Sequence, residues 1–281
     1  MQEKAYYANT DIDEMVFPNI TLRKVGHLVR NIKAIPNYRA VVDIDTDTTF
    51  AIVKAGYKLI PHEEIISKLG EIVAEFPEYG EPYREVWLDN HGGRMKTRWT
   101  FREIDFEIGK LPNGEPDTVH PTIETFCSYD TSLAQRIIVG GFRLVCSNGM
   151  VVGKTLGSYK KKHTESLDIG RAKSIVMNGM REYSKAVDLW LSYKERKAFL
   201  EEINCYEELP FHKDEKLSIE HAIKTEGEVL AWDEDPEKRK VNIGGWDMMN
   251  ILTDEISHKV KDVTRQSTLL DKVAKIFERR H

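Results

Sequence analysis

The sequence predicts an α+β fold: an N-terminal mixed or antiparallel sheet carrying a β-β-β-α unit, followed by a helical C-terminal region. Three observations carry this reading. Between Tyr38 and Ile60, short runs rich in β-branched and aromatic residues are broken by turn residues. From His62 to Phe76 the apolar spacing becomes helical, and beyond Ile169 helical patterns dominate to the end of the chain.

Residues 1–36 read as an N-terminal arm, with a short helix expected around Thr21–Ile32 and an extended entry at Ile35-Pro36. Tyr38–Ile44 and Thr49–Ala55 read as neighbouring strands around the acidic turn Asp45-Thr46-Asp47, and Gly56 lets the chain turn toward Tyr57–Ile60. In His62–Phe76, Ile65, Leu69, Ile72, Val73 and Phe76 share one helical face; Glu63, Glu64, Lys68, Glu71 and Glu75 take the other, and Pro77 supplies a stop. Such a helix can cover the sheet face that the strands cannot bury themselves.

Glu85–Asp89 and Met95–Ile108 suggest a second hairpin through His91-Gly92-Gly93, bearing Trp87, Trp99, Phe101 and Phe106. Gly109–His120 reads as a loop, and Pro121–Tyr129 as extended chain. Ile137–Val152 reads as a hairpin whose reversal is expected at Asn148-Gly149, a dipeptide that accepts positive φ, with Gly140-Gly141 marking a bulge or close packing. Helices are expected over 169–193, 193–202, 246–262 and 269–277, around a polar segment at Asp233-Glu234-Asp235-Pro236. The division is then an arm (1–36), a sheet-rich core (37–168) and a helical region packed on that core (169–281), which together can form one composite domain.

A chain of 281 residues can bury a substantial core without disulfides. Cys127, Cys146 and Cys205 are widely separated and form no Cys-x-x-Cys pair, which disfavours a zinc ribbon and fits a reducing compartment, so a cytoplasmic location is expected. The start of the chain lacks the basic-then-apolar pattern of a secretory signal, and no apolar run is long enough for a membrane-spanning helix. The net charge of -5 argues against global attraction to nucleic acid, which would instead require a local positive face. The clearest such imbalance lies in residues 154–173, where Lys154, Lys160, Lys161, Lys162, Arg171 and Lys173 face only Glu165 and Asp168.

Motifs for catalysis and cofactors are weak. Gly153-Lys154-Thr155 lacks the upstream glycine of a phosphate loop, and no dinucleotide fingerprint, His-Glu-x-x-His or zinc-finger spacing occurs, so neither ATP, zinc nor another cofactor is expected. Asp43, Asp45 and Asp47 alternate as carboxylates for magnesium or manganese would in a phosphodiester-cleaving site, but a fourth carboxylate and a nuclease motif are lacking, and a polar hairpin tip is the favoured account. Cys146 has apolar neighbours and reads as a core cysteine. With Ser147, His163 and His258 it completes no nucleophilic arrangement, so no catalytic residue is assigned.

Four segments in order, Gly56-Tyr57-Lys58, Val145-Cys146-Ser147-Asn148-Gly149-Met150, His163-Thr164 and Trp246-Asp247-Met248-Met249-Asn250-Ile251-Leu252-Thr253 followed by Ser257-His258, span Tyr38 to Phe277. This set resembles the phage and plasmid-like family built around a conserved domain of unknown function. More distantly, the β-β-β-α order and the mobile-element setting are similar to the single-strand annealing proteins of phages. That resemblance implies DNA binding, oligomerisation and strand pairing in recombination without covalent chemistry, and it supplies no catalytic set.

In physical terms, Arg94, Lys96, Arg98, Arg102, Arg143 and Lys160-Lys161-Lys162 would contact phosphates, His163 would pair with one, and Trp99 or Tyr159 would stack on a base. Two ordinary alternatives stand beside this: the lysine run as a solvated face, and Trp87 and Trp99 as sheet core, with strand alternation separating Trp99 from the adjacent cations. The expectation is a non-enzymatic, self-associating protein that binds and anneals single-stranded DNA. The competing expectations are a protein-interaction module using the helical C-terminal face and a divalent-metal nuclease using Asp43 and Asp45.

Overall fold

Alternation along the early strands builds the first sheet. The computed structural model describes residues 4–28, 32–110, 114–143, 148–150, 158–163 and 170–278. In chain order its strands are β1 (Ala5–Ala8), β2 (Ile20–Leu28), β3 (Ile32–Asp43), β4 (Thr49–Lys54), β5 (Tyr83–Asp89), β6 (Arg94–Thr100), β7 (Phe106–Lys110), β8 (Pro116–Ser128), β9 (Gln135–Arg143), β10 (Asn148–Met150), β11 (Ser158–Lys161), β12 (Glu228–Ala231) and β13 (Lys240–Asn242). The helices are α1 (His62–Val73), α2 (Gly170–Arg181), α3 (Tyr183–Glu195), α4 (Leu200–Glu208), α5 (Lys213–Glu226), α6 (Gly245–His258) and α7 (Val263–Glu278). A mixed β region with a β-β-β arrangement thus precedes a helical region.

Two units divide the chain. The first comprises residues 1–101, 123–138 and 158–177; the second comprises 102–122, 139–157 and 178–281. The chain passes from one to the other five times, three of them inside β8, β9 and α2.

In the first unit, β2, β3 and β4 form an antiparallel sheet in which Leu22 faces Val41 and Val41 faces Ala51 across the ladder. These positions join Val53, Tyr129, Ile20, Phe50, Tyr57 and Leu59 in one cluster. Full burial of a valine such as Val41 contributes roughly 1.5–3 kcal/mol. Where a helix is expected at Thr21–Ile32, residues 21–28 are strand: Ile20 and Leu22 alternate with Thr21 and Arg23, and β2 pairs with β3 on either side of an irregularity at Val25, while residues 29–31 lie outside the described residues. Helix α1 follows the sheet and buries Ile65, Ile66, Leu69, Ile72 and Val73 along the face the periodicity predicts. A second ladder in this unit runs β1-β5-β6-β8-β9, with β11 on β9.

In the second unit, the segment Gly109–His120 is mostly strand rather than loop, since β7 and β8 pair from Phe106↔Val119 to Lys110↔Pro116. Pro116 is tolerated because it opens its strand, where a missing N–H costs least. Asn148 and Gly149 pair with Arg143 and Phe142, so the Asn-Gly step belongs to strand β10 and is not the reversal the sequence suggests; residues 144–147 lie outside the described residues. Gly141 does mark close packing: a Cβ there would lie 2.4 Å from both the Trp190 ring and a Val119 methyl. Trp190 packs on Tyr183 (5.5 Å) and Trp246 (6.4 Å), and α6 buries most of the Trp246–Thr253 segment. Bidentate pairs of Arg196 with Glu202 (2.8 and 2.6 Å) and of Arg265 with Glu215 (3.0 and 2.7 Å) tie the helices together. Helix α5 has no counterpart among the expected helices; the helix expected over 169–193 is the pair α2 and α3, and the span 193–202 holds only the end of α3 at Glu195 and the start of α4 at Leu200. Cys146, Ser147, Thr164 and Gly153-Lys154-Thr155 lie outside the described residues.

Candidate nucleic-acid interface

Strand β11 sets the geometry of the lysine run. It pairs with β9 through Ser158↔Ile138, Tyr159↔Ile137, Lys160↔Arg136 and Lys161↔Gln135. Tyr159 turns inward at 5 % exposure, whereas Lys160, Lys161 and Lys162 are exposed and His163 is again buried.

Lys162 and His163 line a cavity of about 720 Å³ in the first unit. Ile52 and Lys54 at the end of β4, Gly56 and Tyr57 in the following turn, and Thr131–Ala134 after β8 complete it. The His163 ring stacks on Tyr57, centroids 5.2 Å apart and planes 11° from parallel, and the Lys58 amide donates to the His163 carbonyl at 3.2 Å. Gly56-Tyr57-Lys58 and the His163 segment, about a hundred positions apart in the chain, therefore meet at one wall. Burial, the larger effect, holds the His163 imidazole below its ordinary pKa against a smaller opposing effect of the Lys58 backbone, so the ring is neutral. Neither ring nitrogen has a hydrogen-bond partner among the described residues. Burial also raises the Tyr57 phenol, so it stays protonated.

The wall at Thr131–Ala134 is held from behind by Asp130. Its carboxylate accepts from the Ser132 amide (3.0 Å), Asn90 Nδ2 (3.1 Å) and Arg94 Nε (2.5 Å), and the Leu133 amide donates to Ser128 Oγ at 2.9 Å. Burial alone would raise the Asp130 pKa, but the hydrogen bonds from Ser132 and Arg94 outweigh it and leave the carboxyl below its usual value. Thr131 takes a positive φ of 61°, a conformation this network imposes on a β-branched residue.

A second histidine lies deeper. The His62 ring stacks on Tyr129 at 3.9 Å, contacts the Gly92 carbonyl through Nε2 at 3.0 Å, and lies 3.1 Å from Cys127 Sγ through Nδ1. Burial pushes His62 down to about 3, with the Gly92 carbonyl opposing and His163 adding to the depression, and it pushes the Cys127 thiol up. A neutral imidazole beside a protonated, fully enclosed thiol is a packing arrangement and offers no nucleophile. No motif near either residue in the sequence signals this pair.

The remaining positions divide between surface and interior. Lys96 and Arg98 are each only 5 % exposed and share Glu124, at 3.2 Å and 2.8 Å, with Arg98 also 3.9 Å from Glu85. Both stand over the Trp87 ring, at 5.2 and 5.3 Å. Burial lowers the Lys96 pKa against the attraction of Glu124; the Glu124 carboxyl, raised by burial, is brought below its usual value by Lys96 and Arg98. Trp99 alternates away from these cations and is buried, with the Arg84 guanidinium 5.4 Å from its ring. Arg94 pairs with Asp130; Arg102 is exposed and belongs to the second unit; the Arg143 side chain lies outside the described residues.

At the acidic turn, Asp43 is buried and spends its carboxylate on the Asn19 and Asp45 amides (3.1 and 3.2 Å) and the Thr46 hydroxyl (2.6 Å). It acts as a hairpin cap, and no group of three metal-ligating residues occurs among the described residues. His258, on α6, sits 3.4 Å from Asp254 one helical turn away. No helix among the described residues is long and apolar enough to cross a membrane.

No curated protein and no solved structure matches the chain. Residues 49–278, from β4 to the end of α7, match the family described as a domain of unknown function (DUF932), associated with phage and plasmid-like proteins, and the chain therefore belongs to that family.

Proposed function

We propose that this chain binds single-stranded DNA in a phage, prophage or plasmid setting, and that self-associated copies bring complementary strands together for annealing. The observation that carries the reading is the run Lys160-Lys161-Lys162: three exposed cations in sequence, the last of them at the rim of an aromatic-backed cavity that Lys54 also borders. Consecutive cations on one edge can follow a flexible phosphate backbone, and aromatic walls beside them accommodate bases without regard to sequence. Lys96 and Arg98 have no part in it, because they are enclosed and already paired with Glu124, and Arg98 with Glu85 as well. The cationic set is thus Lys54, Lys160, Lys161 and Lys162. Local attraction of this kind operates despite the net charge of -5, since screening confines it to about 10 Å at moderate salt.

The test is a fluorescence-anisotropy titration against labelled single-stranded and duplex DNA over a salt series, with the Lys160→Ala/Lys161→Ala/Lys162→Ala protein alongside. Four phosphate contacts on a single strand give a log–log salt slope of roughly −3, and the triple variant should lose about two units of that slope. Absence of binding at low salt refutes the reading and favours the protein-interaction alternative. Strand annealing is then followed by fluorescence transfer between complementary labelled oligonucleotides.

A further inference from the structure

We infer that the cavity between Tyr57, His163 and the Thr131–Ala134 loop is a subsite for one unstacked base of the bound strand, the flanking phosphates resting on Lys54 and Lys162. This deepens the single-strand reading and rests on it. Four features support a base as the occupant. The volume of about 720 Å³ falls in the range of pockets that enclose a small planar ligand. The lining is mostly apolar, with Ile52, Leu133 and the Tyr57 ring, and cations occur only at Lys54 and Lys162, the pattern of a heteroaromatic ring attached to an anionic backbone. His163 is 6 % exposed with both nitrogens unpartnered among the described residues, and a neutral imidazole supplies one donor and one acceptor, which the polar edge of a base can satisfy. The wall opposite is preformed, because the Asp130 network fixes the 131–134 loop before any ligand arrives.

The subsite also supplies a physical ground for strand choice. A duplex keeps its bases stacked and paired, so only a single strand, or a frayed end, can offer a base to a concave pocket of this kind. Phosphate contacts alone would bind both forms.

The experiment compares an oligothymidylate with a base-free deoxyribose-phosphate oligomer of equal length, at one salt concentration, for the native protein and for Gly56→Leu. Gly56 borders the cavity, a Cβ there meets nothing within 4 Å, and its φ is not in the left-handed region, so the substitution adds bulk without straining the fold. Thermal melting monitored by circular dichroism checks that the variant folds. The native protein should prefer the base-bearing strand by about tenfold, the scale of one stacked base. Gly56→Leu should erase most of that preference while leaving the affinity for the base-free strand and the salt slope unchanged. Equal native affinity for the two strands, or a tenfold preference that survives in Gly56→Leu, overturns the base subsite and leaves single-strand binding standing. Failure of the native protein to bind either strand at low salt removes the single-strand reading and the subsite together.

Discussion

Acid should destabilise this protein through one enclosed ring. His62 is fully buried against Tyr129 and Cys127, and its proton affinity falls from an ordinary 6.5 to about 3 on folding. The unfolded chain therefore takes up this proton near pH 6.5, while the folded chain refuses it until near pH 3. Stability contributed by a neutral His62 is fully present above pH 6.5, declines as pH falls through that value, and levels off only near pH 3. Between pH 7 and pH 5 the difference in proton uptake amounts to about 2 kcal/mol, rising to about 5 kcal/mol at the lower limit. Urea unfolding of the native protein and of His62→Gln at both pH values measures it. The glutamine amide can still reach the Gly92 carbonyl but does not titrate, so the native protein should lose about 2 kcal/mol more than the variant over that interval. The other groups are common to both proteins, so the difference between the two pH dependences reports His62. Parallel pH dependences for the two would refute the argument.

Two further perturbations test the interior. Glu124→Gln leaves Lys96 and Arg98 enclosed with their main counter-charge gone; a loss of roughly 3–5 kcal/mol is expected in a denaturant titration, and a loss below about 1 kcal/mol would mean that the cations escape to solvent. Gly141→Ala drives a methyl to 2.4 Å from Trp190 and Val119, and should cost roughly 1–3 kcal/mol with a change in tryptophan emission as the ring is displaced.

The parts legible in the sequence were those encoded locally. The change from period two to helical spacing between Tyr38 and Phe76 lies within one short stretch, and β3, β4 and α1 appear there. At Thr21–Ile32 the apolar residues Leu22, Val25 and Leu28 recur every third position and imitate a helix; only the partner strand β3 decides otherwise. Helix α5 carries little signal in the sequence because its apolar face is thin, with Ile219 and Ile223 as its buried aliphatic residues, and Glu215 in its first turn pairs with Arg265 fifty positions away. For the site, exposure of Lys160–Lys162 and the inward turn of Trp99 follow from charge and alternation. That Lys96 and Arg98 are neutralised by Glu124, and that His163 meets Tyr57, depends on which strands become neighbours, and no local pattern carries that information.

The interleaving of the two units along the chain sets an order on biosynthesis. The first unit draws on residues 1–101, 123–138 and 158–177, so it cannot close until residue 177 has left the ribosome. By then two segments of the second unit have already emerged without their helices. A nascent chain stopped at residue 157 would lack β11, and with it the lysines and His163 that complete the cavity wall. Neither unit corresponds to a continuous gene fragment, and either one can be produced separately only by splicing its three segments with new linkers.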